Sequence, residues 1–155
     1  MKHILLSFAA LMSAAALCAR NIDIIPRPES LVPGKGQFRI TAKTTIGALP
    51  ELRRPAEVFA ADIEPVVGYR LPVAEKGALS LAVNDALQPE EYTLAVTPKG
   101  IRIGGGSPQA VFHALQTLRQ LVAPDGTVPA VEIADKPCFA HRGGMLDSGR
   151  HFWTV

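Results

Sequence analysis

EYTLAVTPKGIRIGGGSPQAVFHALQTLRQLV, Glu91 to Val122, changes its period halfway along. Glu91–Val96 and Gly100–Ile103 alternate apolar and polar residues on either side of Pro98-Lys99. Alternation gives each segment one apolar face, and the break between them supplies a turn, so the pair predicts a β-hairpin. Beyond the three glycines, Val111, Leu115, Leu118 and Val122 recur three or four apart, with Ala114 and Leu121 beside them. That spacing gathers them on one side of a helix and leaves His113, Gln116 and Gln120 on the other. Ser107 suits the N-cap, where its oxygen accepts from a free backbone N–H, and Pro108 suits the first helical position.

The same two periods sort the flanking sequence. Leu52, Ala56, Phe59, Ile63 and Val66 form the apolar face of an earlier helix, which Pro65 and Gly68 are expected to end. Strands are expected at Asn21–Ile25, Gln37–Ile40, Thr44–Ile46, Leu71–Ala74, Leu79–Val83 and Val128–Ile133, with Pro26–Ser30 and Gly34–Gly36 as turns. Runs of strands with two helices between them predict an α+β domain, a small antiparallel or mixed sheet with both helices on one face. The domain is expected over 20–137. Gly144–Leu146 reads as the core of one further strand.

The 155 residues carry a formal net charge of +2 and only 6% aromatics, with no basic patch that would argue for nucleic acid. Thirteen glycines and thirteen prolines fit many short elements joined by turns. The start is different. Met1–His3 is basic, and Ile4–Ala19 is apolar and uncharged, the layout of a cleaved secretory signal over 1–19. Ile4–Ala19 is shorter than the roughly 20 residues that span a bilayer. The mature chain is therefore expected in the periplasm or outside the cell. Cleavage after Ala16 or Ala19 leaves a small residue at the cut. Lipid attachment at Cys18 is the rival reading, which Leu17 fits poorly. With the signal gone, Cys138 is the sole cysteine, so no internal disulfide is expected.

Three groups of residues invite chemistry. Gly104–Gly106 sits where a phosphate loop would, between strand and helix, but Gln109 replaces the third glycine of the dinucleotide pattern and no Gly-Lys-Ser/Thr is present. A turn feeding a capped helix is the simpler reading. Cys138, His141, Asp147 and His151 match no usual zinc spacing, so neither metal nor cofactor is expected. Arg53 and Arg54 open a helix, where cations are disfavoured unless they pair with Glu57 or Glu51. There remain Arg142, Asp147, Arg150 and His151. Arg142 and Asp147 flank Gly-Gly-Met-Leu, and an arginine at the rim of a strand offers a planar donor fork to sugar hydroxyls or a carboxylate.

The segment that holds them, DKPCFAHRGGMLDSGRHF from Asp135 to Phe152, resembles the opening of the catalytic barrel in family 20 glycoside hydrolases, the β-N-acetylhexosaminidases. The matches are Asp135, Pro137, Phe139, Arg142, Gly143, Leu146, Asp147, Arg150, His151 and Phe152. Cys138 stands where arginine is usual and Gly149 where serine is usual. Ile25-Pro-Arg-Pro, Glu91-Tyr-Thr-Leu, Gly100-Ile-Arg-Ile and Gln116–Leu121 are similar, in the same order, to the family's N-terminal accessory domain. The resemblance implies that a (β/α)8 barrel begins within 138–155 and is truncated, with Gly144–Leu146 in its first strand. It implies that Arg142 binds the C3 and C4 hydroxyls of a terminal N-acetylhexosamine in a glycan substrate, with Asp147, Arg150 and His151 as support. It also implies substrate-assisted retention, in which the acetamido oxygen of the sugar attacks the anomeric carbon. The Asp-Glu pair that such chemistry requires occurs nowhere in this chain, so the catalytic residues are absent and the polypeptide alone is expected to be inactive. The competing readings are a complete exported α+β binding module without catalysis, and another glycosidase with a similar accessory domain, such as an α-glucuronidase.

Overall fold

The computed structural model describes residues 22–139 and 141–145. Its elements are β1 (Ser30–Arg39), β2 (Ile46–Gly47), a 3-10 turn (Pro50–Leu52), α1 (Arg53–Val67), β3 (Val73–Ala74), β4 (Leu79–Val83), β5 (Tyr92–Thr97), β6 (Gly100–Gly105), α2 (Pro108–Leu121) and β7 (Thr127–Asp135). The strands form one seven-stranded sheet in the order β1-β7-β5-β6-β4-β2-β3. The pairs β1–β7, β7–β5 and β5–β6 are antiparallel, while β6–β4, β4–β2 and β2–β3 are parallel. α1 carries the chain from β2 across to β3 and β4, the crossover that the parallel pairs of β2 need, while the β5–β6 hairpin sets β6 parallel beside β4.

Alternation decides which sheet face is covered. Tyr92, Leu94 and Val96 of β5 and Ile101 and Ile103 of β6 are buried, whereas Thr93 and Arg102 are exposed. On the covered face lie Phe59 and Ile63 of α1 and Val111, Leu115 and Leu118 of α2, each fully buried. The two helices also pack on each other. The α+β arrangement with both helices on one face is thus as expected, and the hairpin, the Ser107 cap and β4 are present at the expected positions. The Ser107 hydroxyl accepts from the Ala110 N–H at 3.2 Å.

Three local expectations fail, each for a reason outside the local sequence. Ile22–Ile25 is not a strand; Ile24 is buried, Ile25 is 84% exposed, and the Ile25–Pro26 peptide is cis. The backbone of Ile25 is held instead by the side chain of Gln120, which accepts from its N–H at 3.0 Å and donates to its carbonyl at 3.1 Å. Gly34–Gly36 is not a turn between strands but an irregularity inside β1, where the register against β7 shifts between Pro33 and Gln37. Pro65 does not end α1. It lies inside the helix on an exposed position, and the carbonyl of the equally exposed Ala61, which loses its helical donor, can bind water. The stop is Gly68, at φ 82°, whose N–H bonds the Glu64 carbonyl at 2.8 Å. The strand expected at Gly144–Leu146 reaches beyond the described residues, which end at Met145; 141–145 are in no regular element.

Candidate functional site

The last strand delivers the chain toward Arg142, and the side chain of its final residue is tied from two sides. Asp135 lies directly opposite Tyr92 in the sheet. Its carboxylate accepts from the Tyr92 hydroxyl at 3.1 Å and from the Glu29 N–H at 3.1 Å. The Tyr92 hydroxyl also meets the Thr117 hydroxyl of α2 at 2.6 Å, both residues being buried. Tyr92 is an inward position of an alternating strand, so its hydroxyl must find partners beneath the sheet or lose its hydration uncompensated. Burial, helped by the Asp135 charge, pushes its phenol up to about 12, against the smaller opposing effect of the Thr117 hydrogen bond.

Past Asp135 the chain runs exposed over Cys138, Phe139 and 141–145, with Met145 93% accessible. Arg142 folds back to the loop before β5. Its guanidinium donates to both carboxylate oxygens of Glu90 and to the Phe139 carbonyl, the last at 2.6 Å. Gln109, in the first turn of α2, reaches the same Glu90 carboxylate at 3.5 Å. The hydrogen bond from Arg142 holds the Glu90 carboxyl below its usual range, and the same bond raises the Arg142 guanidinium further. The Glu90–Arg142 pair is the polar tie that lays this segment against the domain.

The structure places only Arg142 among the four expected tail residues; Asp147, Arg150 and His151 lie outside the described residues. Sequence reasoning does not single out Glu90, Tyr92 or Thr117 as functional. A signal for Tyr92 exists, a phenol at an inward position, but its partners depend on β7 lying beside β5. The triple glycine is explained by packing. A Cβ at Gly106 would stand 1.8 Å from the Gln88 carbonyl oxygen, and one at Gly105 would stand 2.7 Å from the Val111 nitrogen. These glycines let the β6–α2 junction touch neighbouring backbone. His113 is half-buried, its ring tilted against Phe112 with centroids 6.4 Å apart. Arg53 pairs with Glu57 at 3.0 Å, as its position in the first turn required. Among the described residues no group of histidine, cysteine and carboxylate side chains could hold a metal ion, and no helix is long and apolar enough to cross a membrane.

Comparison with known proteins covers the same stretch of chain. The profile of glycosyl hydrolase family 20, domain 2, matches residues 21–136. A β-hexosaminidase of Porphyromonas gingivalis is 33% identical over 154 residues, covering 88% of this chain and 20% of its own length. The β-N-acetylhexosaminidase of Cellulomonas fimi is 35% identical over 151 residues, with shares of 87% and 30%. Among solved structures, the Streptomyces plicatus N-acetyl-β-hexosaminidase in complex with Thio-NAglucal superimposes with a TM-score of 0.77 at 35% identity, over 85% of this chain and 29% of that one. The chain thus spans between 20% and 30% of the length of these relatives. With a domain profile matched over most of its residues and the fold shared with solved members, the chain belongs to glycosyl hydrolase family 20.

Proposed function

We propose that this chain is the front portion of an exported β-N-acetylhexosaminidase, which removes terminal N-acetylhexosamine from glycans. In this reading 1–19 is a signal removed on export, 20–137 is the accessory domain, and 138–155 opens a (β/α)8 catalytic barrel. The observation that carries it is continuity. The last described strand ends at Asp135 and the family profile matches to residue 136, and the sequence that follows resembles the family's Arg-Gly-x-x-Leu-Asp-x-x-Arg-His pattern, which includes Arg142.

The role assigned to Arg142 rests on its chemistry. Its fork carries five N–H donors in one plane and stays charged at every physiological pH, so it can serve two adjacent sugar hydroxyls at once. Asp147, Arg150 and His151 are assigned the supporting roles that the family pattern implies. The chemistry itself is assigned to the substrate's acetamido oxygen, acting with an Asp-Glu pair further along the protein. No Asp-Glu pair is in this sequence.

The test compares two polypeptides on an aryl N-acetylglucosaminide. The 155-residue chain is expected to show no turnover. The product of the reading frame followed past the codon for Val155 is expected to turn the substrate over. In that longer product Arg142→Ala is expected to cost about a hundredfold in kcat/KM, the loss of two charge-assisted hydrogen bonds at about 1.5 kcal/mol each. Turnover by the short chain, or none by the long one, overturns the reading.

A further inference from the structure

The structure assigns Asp135 a second role: it is the positioning residue that sets the direction in which the chain leaves this domain, with Tyr92 as its fixed point. The consequence for catalysis rests on the reading of Arg142 as a substrate contact; the mechanical role does not. Two donors from other parts of the fold meet the Asp135 carboxylate, and a third element, α2, holds one of those donors from behind. Asp135 is the last residue of the last strand, and Tyr92 is its direct neighbour at the start of β5. The Tyr92 hydroxyl reaches Asp135 at 3.1 Å and Thr117 of α2 at 2.6 Å. The other carboxylate oxygen accepts from the Glu29 N–H, just ahead of β1, at 3.1 Å.

The choice of side chain matters. Two donors arrive from different elements, and a carboxylate has an acceptor oxygen for each, whereas an amide has one. The anchor is rigid because Tyr92 is 3% exposed and Thr117 8%. The chain just beyond Asp135 is stiff as well. Lys136 precedes Pro137, whose ring keeps the preceding backbone out of the helical region, so the direction set at Asp135 is carried outward. Arg142 stands seven residues beyond Asp135, close enough for a change of angle at the strand end to displace its guanidinium.

The direct test measures direction. One nitroxide is attached to Cys138 and a second to Ala61→Cys on the exposed side of α1, in the 155-residue chain carrying Cys18→Ser. Electron–electron distance measurement is expected to give one narrow distribution. Tyr92→Phe, which keeps the ring, and Asp135→Asn, which keeps the shape, are each expected to give one about twice as wide while circular dichroism stays native. Unchanged widths in both folded variants overturn the inference. In the longer, active protein the same variants are expected to raise KM about fivefold with kcat within about twofold, because a displaced Arg142 binds substrate and transition state equally poorly. A purely stabilising role would reduce the amount of active enzyme and leave KM unmoved. If the longer protein has no activity at all, the assignment of function fails while the distance result still decides the role of Asp135.

Discussion

Tyr92 carries a polar group into a covered sheet face, and the folded domain depends on keeping it neutral. Its phenol is raised to about 12 by burial, with a further push from the Asp135 charge. The neutral form is the one favoured by folding, so the sign is fixed. This contribution is fully present below the ordinary tyrosine range near pH 10 and is lost progressively between about pH 10 and pH 12. Phenolate absorbance should show one tyrosine ionising together with loss of the folded circular dichroism signal, and Tyr92→Phe should remove that step. A phenol of Tyr92 that titrates near 10 in the folded chain would contradict the geometry. Legibility in sequence divides at this same residue. That Tyr92 points inward is implied by alternation with Leu94 and Val96. That it meets Asp135 is not, because the pairing of β5 with β7 joins residues separated by the whole of β6 and α2. Arg142 is legible as a residue with a role to fill, yet its partner Glu90 sits on a loop with no local signal.

The elements whose determinants are local are readable from sequence, and those settled by a neighbour are not. α2 has its cap, its proline and its stripe within one stretch of sequence, and β4 has its alternation. Gly34–Gly36 has the composition of a turn, but β7 pairs on both sides of it and makes it a bulge in one ten-residue strand. Pro65 has the composition of a stop, but it falls on the solvent side of α1, where water can replace a lost backbone hydrogen bond. The triple glycine between β6 and α2 is a third case, composition that suggests a ligand where packing supplies the reason. That leads to a measurement. Gly106→Ala places a methyl group where the Gln88 carbonyl oxygen stands 1.8 Å away, and a backbone atom cannot swing aside as a side-chain end can. The expected cost is about 2–4 kcal/mol, seen as a lower urea midpoint at an unchanged slope. A phosphate-binding loop would predict something else, a change in stability on adding phosphate, and none is expected.

At the scale of the molecule, the core formed by the described residues closes at β7. Among them the last buried apolar residue is Ile133 and the last strand residue is Asp135, whereas Cys138, Phe139 and 141–145 are exposed. One continuous cluster, from Ile24 through Phe59, Leu115 and Val128 to Ile133, spans both helices and both halves of the sheet. A single cluster of this kind unfolds as a unit, so heat and urea should each give one transition, and for heat the far-ultraviolet circular dichroism and calorimetric midpoints should coincide. The tail contributes the ion pair between Arg142 and Glu90, whose side chains are 42% and 32% accessible. An exposed pair gains little from Coulomb attraction in water and is screened by salt. Removing residues 140–155 is therefore expected to shift Tm by less than about 4 °C and to leave the transition cooperative. A large loss of stability, or a second transition that disappears with the tail, would mean that the core extends beyond β7. The same deletion removes Arg142. If the deleted chain keeps its melting curve, the sequence after Phe139 is free of any duty to this fold, and its density of arginine, histidine and aspartate has to be explained by what it binds.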